Sequence, residues 1–261
     1  MNLVPPRNAA PFDLTGRLAL VTGVRRGIGL AIAEALASAG ADIVGVSKEL
    51  EPDGGEARER VTAVGRQFQP IAADLGDREA VWRVLGRLDE FERPIDILVN
   101  NAGTIWREPG VAHSLEQWDR VLEVNLTSQF LLAQALGEQM VGRKYGKIIF
   151  TASMLSFQGG INVASYTASK HGVAGLTKAF ANEWAASGVN VNAIAPGYIA
   201  TDNTQALRDD PVRSQAILER IPAARWGSPE DIGWAAVFLA SRASDYVNGA
   251  VVAVDGGWLG R

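Results

Sequence analysis

The chain has 261 residues, 47% hydrophobic and 21% charged, with a formal net charge of −4 and a pI of about 5.3. That composition supports one large buried core, and the acidic balance without a Lys/Arg-rich run excludes the usual signature of a nucleic-acid partner. There is no cysteine, so disulfides and thiol chemistry are absent, and the two histidines, His113 and His171, stand in no metal-ligand spacing.

Met1 to Pro11 is polar and proline-bearing and reads as an N-terminal extension before one domain over residues 12–261. Strand-like and helix-like segments then alternate. Arg17–Thr22 is a short apolar run closed by glycine, as in a buried strand. Ile28–Ala39 is rich in alanine and leucine and predicts a helix with Gly40 as its C′ residue. Asp42–Ser47 predicts a second strand, Gly54–Arg66 an exposed helix, and Phe68–Ala72 a third strand. Asp77–Phe91 carries Val81, Leu85 and Leu88 on one helical face. Ile95–Val99 predicts the fourth strand. Ser114-Leu-Glu-Gln117 has the form of a capping box opening a helix to about Met140. Lys147–Ala152 predicts the fifth strand, and a helix holding Tyr166 and Lys170 runs to about Ser187. Val189–Ala195 is the sixth strand, Ser228-Pro-Glu-Asp231 opens a late helix, and Ala250–Val254 is the last strand. The alternation predicts an α/β fold, a doubly wound parallel sheet in a single domain. Tyr198–Ile221 is the least regular region. It follows a strand's carboxyl end, where open α/β sheets bind ligands, and reads as a lid or as a surface excursion. No run is long and apolar enough to cross a bilayer, so a soluble cytoplasmic protein with no membrane partner is expected.

The chemistry concentrates at strand ends. Tyr166 and Lys170 stand four residues apart, on one face of a helix, with Ser153 upstream. A free phenol titrates near pH ~10, and a neighbouring ammonium is expected to lower that value. The pair can then give and take a proton near neutrality. Gly23, Gly27 and Gly29 follow a strand and open a helix, which suits close approach of a pyrophosphate; close packing of the turn on the sheet is the bland alternative. Asp74 can accept a hydrogen bond from an adenine amino group. Asn100 to Gly103 can line the adenine and ribose side of such a site. Together these point to hydride transfer between a nicotinamide cofactor and a carbonyl, with no metal.

These motifs resemble the short-chain dehydrogenase/reductase family over residues 12–261. Thr22 to Gly29 resembles its glycine loop, Asn100-Asn101-Ala102-Gly103 its strand-end motif, and Asn125 its helix asparagine. Ser153, Tyr166 and Lys170 resemble its catalytic residues, and Pro196-Gly197 with Thr201 its nicotinamide-side motif. The resemblance implies a Rossmann-type domain, a homotetramer, and a cofactor site of Gly23, Arg25, Arg26, Gly27, Ile28, Gly29, Ser47, Lys48, Asp74, Leu75, Asn101, Ala102, Gly103, Tyr166, Lys170, Pro196, Gly197, Ile199 and Thr201. It also implies that Asn125 holds a water linking Lys170 to solvent.

A narrower resemblance, through Ser153–Gly160, Asn192–Tyr198, Asp202–Gln205 and Ser244–Trp258, is to the branch acting on sugar acids. It implies an anionic small-molecule substrate of the kind of 2-deoxy-D-gluconate or 2-dehydro-3-deoxy-D-gluconate. Asn162 and Ala164 stand where that branch often has Arg and Pro. The competing expectations are a carbonyl reductase for 3-oxoacyl thioesters or polyols, and a dinucleotide sensor without turnover. Ser153 and Tyr166 would meet the substrate oxygen. Arg107, just past the fourth strand, is the candidate for the substrate carboxylate, a solvated surface arginine being the alternative. Cofactor choice divides NAD from NADP. Ser47 and Lys48 occupy the place of the usual ribose-binding acid, and Arg25 and Arg26 lean the reading to NADP. Against this stand Glu49, the branch's habit of using NAD, and the possibility that both arginines face solvent.

Overall fold

The computed structural model describes residues 10–261. All but the end of the expected N-terminal extension lies outside the described residues. Seven strands, β1 (Leu18–Thr22), β2 (Asp42–Ser47), β3 (Phe68–Ala72), β4 (Ile97–Asn100), β5 (Gly146–Thr151), β6 (Val189–Pro196) and β7 (Val251–Val254), form one sheet in the order β3-β2-β1-β4-β5-β6-β7. Every neighbouring pair is parallel. The order reverses between β1 and β4, which opens a crevice at the carboxyl ends of the strands.

Because side chains alternate across a strand, β1 feeds two cores. Ala19 and Val21 pack with α1 (Gly27–Ser38), α2 (Gly55–Ala63) and α9 (Pro229–Ala240) on one face. Leu18 and Leu20 pack on the other with α3 (Arg78–Asp89), α5 (Ser128–Arg143) and α6 (Ala164–Trp184). The strands are apolar on both faces for this reason.

Two expectations are corrected. The helix opened by Ser114, whose hydroxyl accepts from the Gln117 amide at 3.3 Å, is not continuous to Met140. It divides into α4 (Leu115–Leu122), a π turn over Glu123–Thr127, and α5. The wider turn is common at functional sites, and Asn125 lies in it. The region Tyr198–Ile221 is not irregular: it folds into α7 (Gln205–Asp209) and α8 (Pro211–Arg220). Asp210 caps α8 through the Val212 and Arg213 amides, with Pro211 in the first turn. Asp-Pro is a helix-start signal legible in the sequence.

Candidate active site

The glycine loop lies at the switch point, between β1 and α1. Gly23 and Gly27 have φ of +71° and +58°, and a Cβ on Gly29 would stand 2.1 Å from the Gly23 carbonyl oxygen. The N-cap, Arg26, gives no side-chain hydrogen bond to the first turn of α1. Those amides are therefore available to an anion at the positive end of the helix. Asn101 braces the loop: its Nδ2 donates to the Thr22 carbonyl at 2.9 Å, and its Oδ1 accepts from Thr151 Oγ1 at 3.3 Å. The amides of Asn101 and Ala102 both donate to Thr22 Oγ1 at 2.9 Å. The Asn101 side chain is thus engaged in shaping the loop. The neighbouring Asn100 is fully buried and donates to the Gln129 carbonyl.

The proposed catalytic set meets at the end of β5. Lys170 is buried and donates from Nζ to the Thr151 carbonyl at 2.5 Å, and Nζ lies 5.6 Å from the centre of the Tyr166 ring. Burial lowers its ammonium from 10.5 to about 8. Burial also pushes the Tyr166 phenol above its usual value, against a hydrogen bond with Ser153 and the charge of Arg107. The groups that work against burial at Tyr166 in this arrangement are Ser153 and Arg107, while the Lys170 ammonium is engaged by the Thr151 carbonyl. The Ser153 hydroxyl accepts from the Leu155 amide at 3.1 Å. Asn125, fully buried, exchanges hydrogen bonds of 2.8 Å with the Thr104 backbone in both directions and donates to Ser169 Oγ at 3.2 Å. It locks the loop after β4 onto α6. Arg107 is exposed, acts on Tyr166, and has no hydrogen-bond or ion-pair partner among the described residues.

The cations expected at the adenosine ribose are all paired. Arg25 lies 3.2 Å from Glu49 and 3.4 Å from Glu51, Arg26 2.9 Å from Asp202, and Lys48 3.1 Å from Asp74. Glu49, which already stood against the NADP reading, is one of these partners; Glu51, Asp74 and Asp202 are the others. Asp74 is likewise occupied: its oxygens accept from Arg120 at 2.8 and 3.0 Å and from the Gly76 amide at 2.9 Å. Burial works to raise its carboxyl, but Gly76, Arg120 and Lys48 hold it below the usual carboxylate range. Its use by an adenine amino group therefore needs an exchange of partners, which the sequence did not reveal. Ser47 Oγ accepts from the Arg25 amide at 3.1 Å and so fixes the loop.

The remaining expected residues line the same edge or back it. Ile28 packs half-buried on the core, while Leu75 and Ile199 are buried. The Ala102 carbonyl accepts from Gln129 at 3.0 Å, and Gly103 faces Asn125. Pro196 ends β6, and the Gly197 amide donates to the Val254 carbonyl at 3.0 Å. The Thr201 methyl stands 3.5 Å from where a Cβ on Gly27 would sit, so the segment after β6 begins against the glycine loop. Asn162 has φ +61°, a conformation asparagine tolerates, and its carbonyl accepts from the Glu108 amide at 2.8 Å. Sequence reasoning missed Thr151, Ser169, Gln129 and Arg120. Thr151, Gln129 and Arg120 belong to no local motif, while Ser169 lies inside the Tyr166–Lys170 run and only its bond to Asn125 was unforeseen.

A glycine loop at the switch point, with a tyrosine and a buried lysine at the end of β5, defines a nicotinamide-dependent oxidoreductase. A family model described as enoyl-(acyl carrier protein) reductase matches residues 23–259. The chain belongs to the short-chain dehydrogenase/reductase family. It is 58% identical to 2-dehydro-3-deoxy-D-gluconate 5-dehydrogenase of Bacillus subtilis, over 96% of this chain and 97% of that one. It is 56% identical to the protein of the same name from Pseudoalteromonas atlantica, over 96% and 98%. A solved structure of a candidate 2-deoxy-D-gluconate 3-dehydrogenase from Agrobacterium tumefaciens, with NADP bound, is 52% identical, with a TM-score of 0.89 over 96% of this chain and 99% of that one. Among the described residues no helix is long and apolar enough to cross a membrane, and no three or more His, Cys, Asp or Glu side chains are grouped to hold a metal ion.

Proposed function

We propose that the protein interconverts a ketone and a secondary alcohol on a sugar acid, with 2-dehydro-3-deoxy-D-gluconate as the substrate type and NAD(P) as the cofactor. The observation that carries the substrate is the identity of 56% and 58% to the two relatives of that name, over nearly the whole of each chain.

The glycine cradle and the uncapped start of α1 fit a dinucleotide, and Gly23, Gly27, Ile28 and Gly29 would hold its pyrophosphate. When bound, the nicotinamide supplies the hydride. Tyr166 gives a proton to the oxygen of the reducing ketone, or takes one from the alcohol in the reverse direction. Ser153 donates a hydrogen bond to that oxygen, where negative charge develops. Lys170 holds its ammonium beside them, ready to turn from the Thr151 carbonyl to the cofactor's ribose, and Asn125 fixes the loop that bears Arg107. The exposed, unpaired Arg107 guanidinium takes the substrate carboxylate.

NADP is the proposed preference, through Arg25 and Arg26. Family membership and the half-exposed edge strand β7 support a homotetramer, which light scattering at micromolar concentration tests.

The deciding experiment is turnover of a panel of keto and hydroxy sugar acids, 3-oxoacyl thioesters and polyols with both cofactors, in wild type and Arg26→Ala. Turnover confined to thioesters or polyols would overturn the substrate. A wild-type preference for NAD that Arg26→Ala leaves unchanged would overturn the cofactor choice.

A further inference from the structure

Apart from the two cores that sandwich the sheet, the structure has a third apolar cluster. Its buried members are Met154, Ile217, Ile221 and Trp258. They come from three distant places. Met154 directly follows the catalytic Ser153. Ile217 is the buried residue of α8, and Ile221 follows that helix. Trp258 lies beyond β7. No residue of α7 or α8 contributes to either sheet-flanking core. The lid is therefore anchored by this cluster rather than by the sheet.

The tail beyond β7 makes most of that anchorage. The Trp258 ring lies under the Arg220 guanidinium at 4.0 Å and against the Tyr198 ring at 4.8 Å. Arg261 donates to the Glu219 carbonyl at 2.8 Å, and the Ala223 amide donates to the Gly256 carbonyl at 3.0 Å. Gly256 has φ +65°, and a Cβ there would stand 2.9 Å from Ile221 Cγ2, so tail and lid exit are in close contact. The indole Nε1 of Trp258 is buried and donates to no group among the described residues. The ring, not the N–H, makes the contact.

We infer that the segment Asp255–Arg261, through Trp258, is the seat that holds the α7–α8 lid beside Ser153, which makes Trp258 a positioning residue for substrate capture. The inference rests on the reading of Ser153 and Tyr166 as the reacting site. A lid that loses its seat spends less time in the competent position, and apparent substrate affinity falls by that fraction. The chemical step in molecules that do close is little changed, and cofactor binding at the glycine loop is not involved.

The test compares Trp258→Ala, Trp258→Phe and Ile217→Ala with wild type. It measures steady-state kinetics on 2-dehydro-3-deoxy-D-gluconate, cofactor affinity, and trypsin cleavage at the exposed Arg213 and Arg220. Trp258→Ala is expected to raise KM about tenfold or more, with kcat within about threefold and cofactor Kd within about twofold. Cleavage in the lid should quicken by about the same factor as KM rises. Trp258→Phe keeps one aromatic ring against Tyr198 and Arg220 and gives up the second fused ring and an unpartnered donor, so it should recover most of the affinity and protection that Trp258→Ala loses. Ile217→Ala reaches the same contact from the lid and decides the matter if Trp258→Ala does not fold. Unchanged KM and unchanged cleavage would overturn the inference, as would a loss of cofactor affinity equal to that of substrate. Should wild type turn over no sugar acid, the substrate reading falls, while the cleavage rates still decide whether Trp258 seats the lid.

Discussion

Replacing Lys170 by methionine would isolate the energetic consequence of burying an ammonium in the candidate active site. Burial lowers this group from 10.5 to about 8 in the folded chain. One pKa unit corresponds to ~1.4 kcal/mol, so below pH 8 the charged lysine costs the native state roughly 3 kcal/mol. Between about pH 8 and 10.5 the folded chain has released this proton while the unfolded chain still holds it. The unfolded state then binds more protons, so stability rises with pH across that window. By pH 10 most of the penalty is gone, and wild type should gain roughly 2 kcal/mol relative to Lys170→Met between pH 7 and pH 10. The lost hydrogen bond to the Thr151 carbonyl, about 1.5–3 kcal/mol for a charged donor, offsets half or more of the gain from removing the charge, so the variant at pH 7 should be equal to wild type or more stable by about 1 kcal/mol. Urea unfolding followed by tryptophan fluorescence, at both pH values and one protein concentration, measures the double difference. Parallel pH dependences in the two proteins would show that Lys170 is not buried as a strained cation.

Tyr166→Phe removes the proton donor and keeps the ring, so turnover should fall by about 10²–10⁴-fold with cofactor affinity retained; near-normal kcat would remove the tyrosine from the mechanism. Arg107→Ala should raise KM for a sugar acid about tenfold or more and leave KM for a neutral polyol analogue unchanged, any change in kcat through Tyr166 being shared by both, and equal effects on the two KM values would reject the carboxylate contact. Asn101→Ala leaves the Thr22 carbonyl without its side-chain donor, so cofactor affinity measured by titration should weaken about tenfold. Unchanged affinity would show that the glycine loop holds its shape without that brace.

The fold was legible because a doubly wound sheet writes itself in short apolar runs and capped helices. All seven strands of the sheet coincide with expected runs to within two residues at either end. Gly40 and Ser228 mark helix ends through local chemistry alone: Gly40 at φ +110° and the reciprocal bonds of Ser228 and Asp231. The break at Glu123–Thr127 was not legible. A π turn adds no distinctive residue type, and what stabilises it here is Asn125 reaching Thr104 and Ser169 across the fold. The lid's helices were readable from Asp210-Pro211, yet the polar composition of the segment obscured them.

The charges at the adenosine end were less legible than the glycines, because a charge's effect depends on partners that lie far away in sequence. Arg26 is neutralised by Asp202, 176 positions later, and Asp74 is held by Arg120 in α4. Four cations, Arg25, Arg26, Lys48 and Arg120, face four carboxylates, Glu49, Glu51, Asp74 and Asp202, so the local sum is near zero. Counting arginines alone therefore overstates the pull on a phosphate. The balance still favours accepting one. The Arg26–Asp202 pair is exposed on both sides, and such pairs contribute ~0–1 kcal/mol each. A hydrogen bond to an ionised phosphate contributes about 1.5–3 kcal/mol. Exchanging Asp202 for a phosphate thus gains energy at Arg26, while a ribose hydroxyl gains little there. Arg25 is harder to recruit, since it would leave two carboxylates and is itself only partly exposed. On this reasoning Arg26 carries the proposed preference for NADP, and Arg25, clamped by Glu49 and Glu51, limits how strong that preference can become.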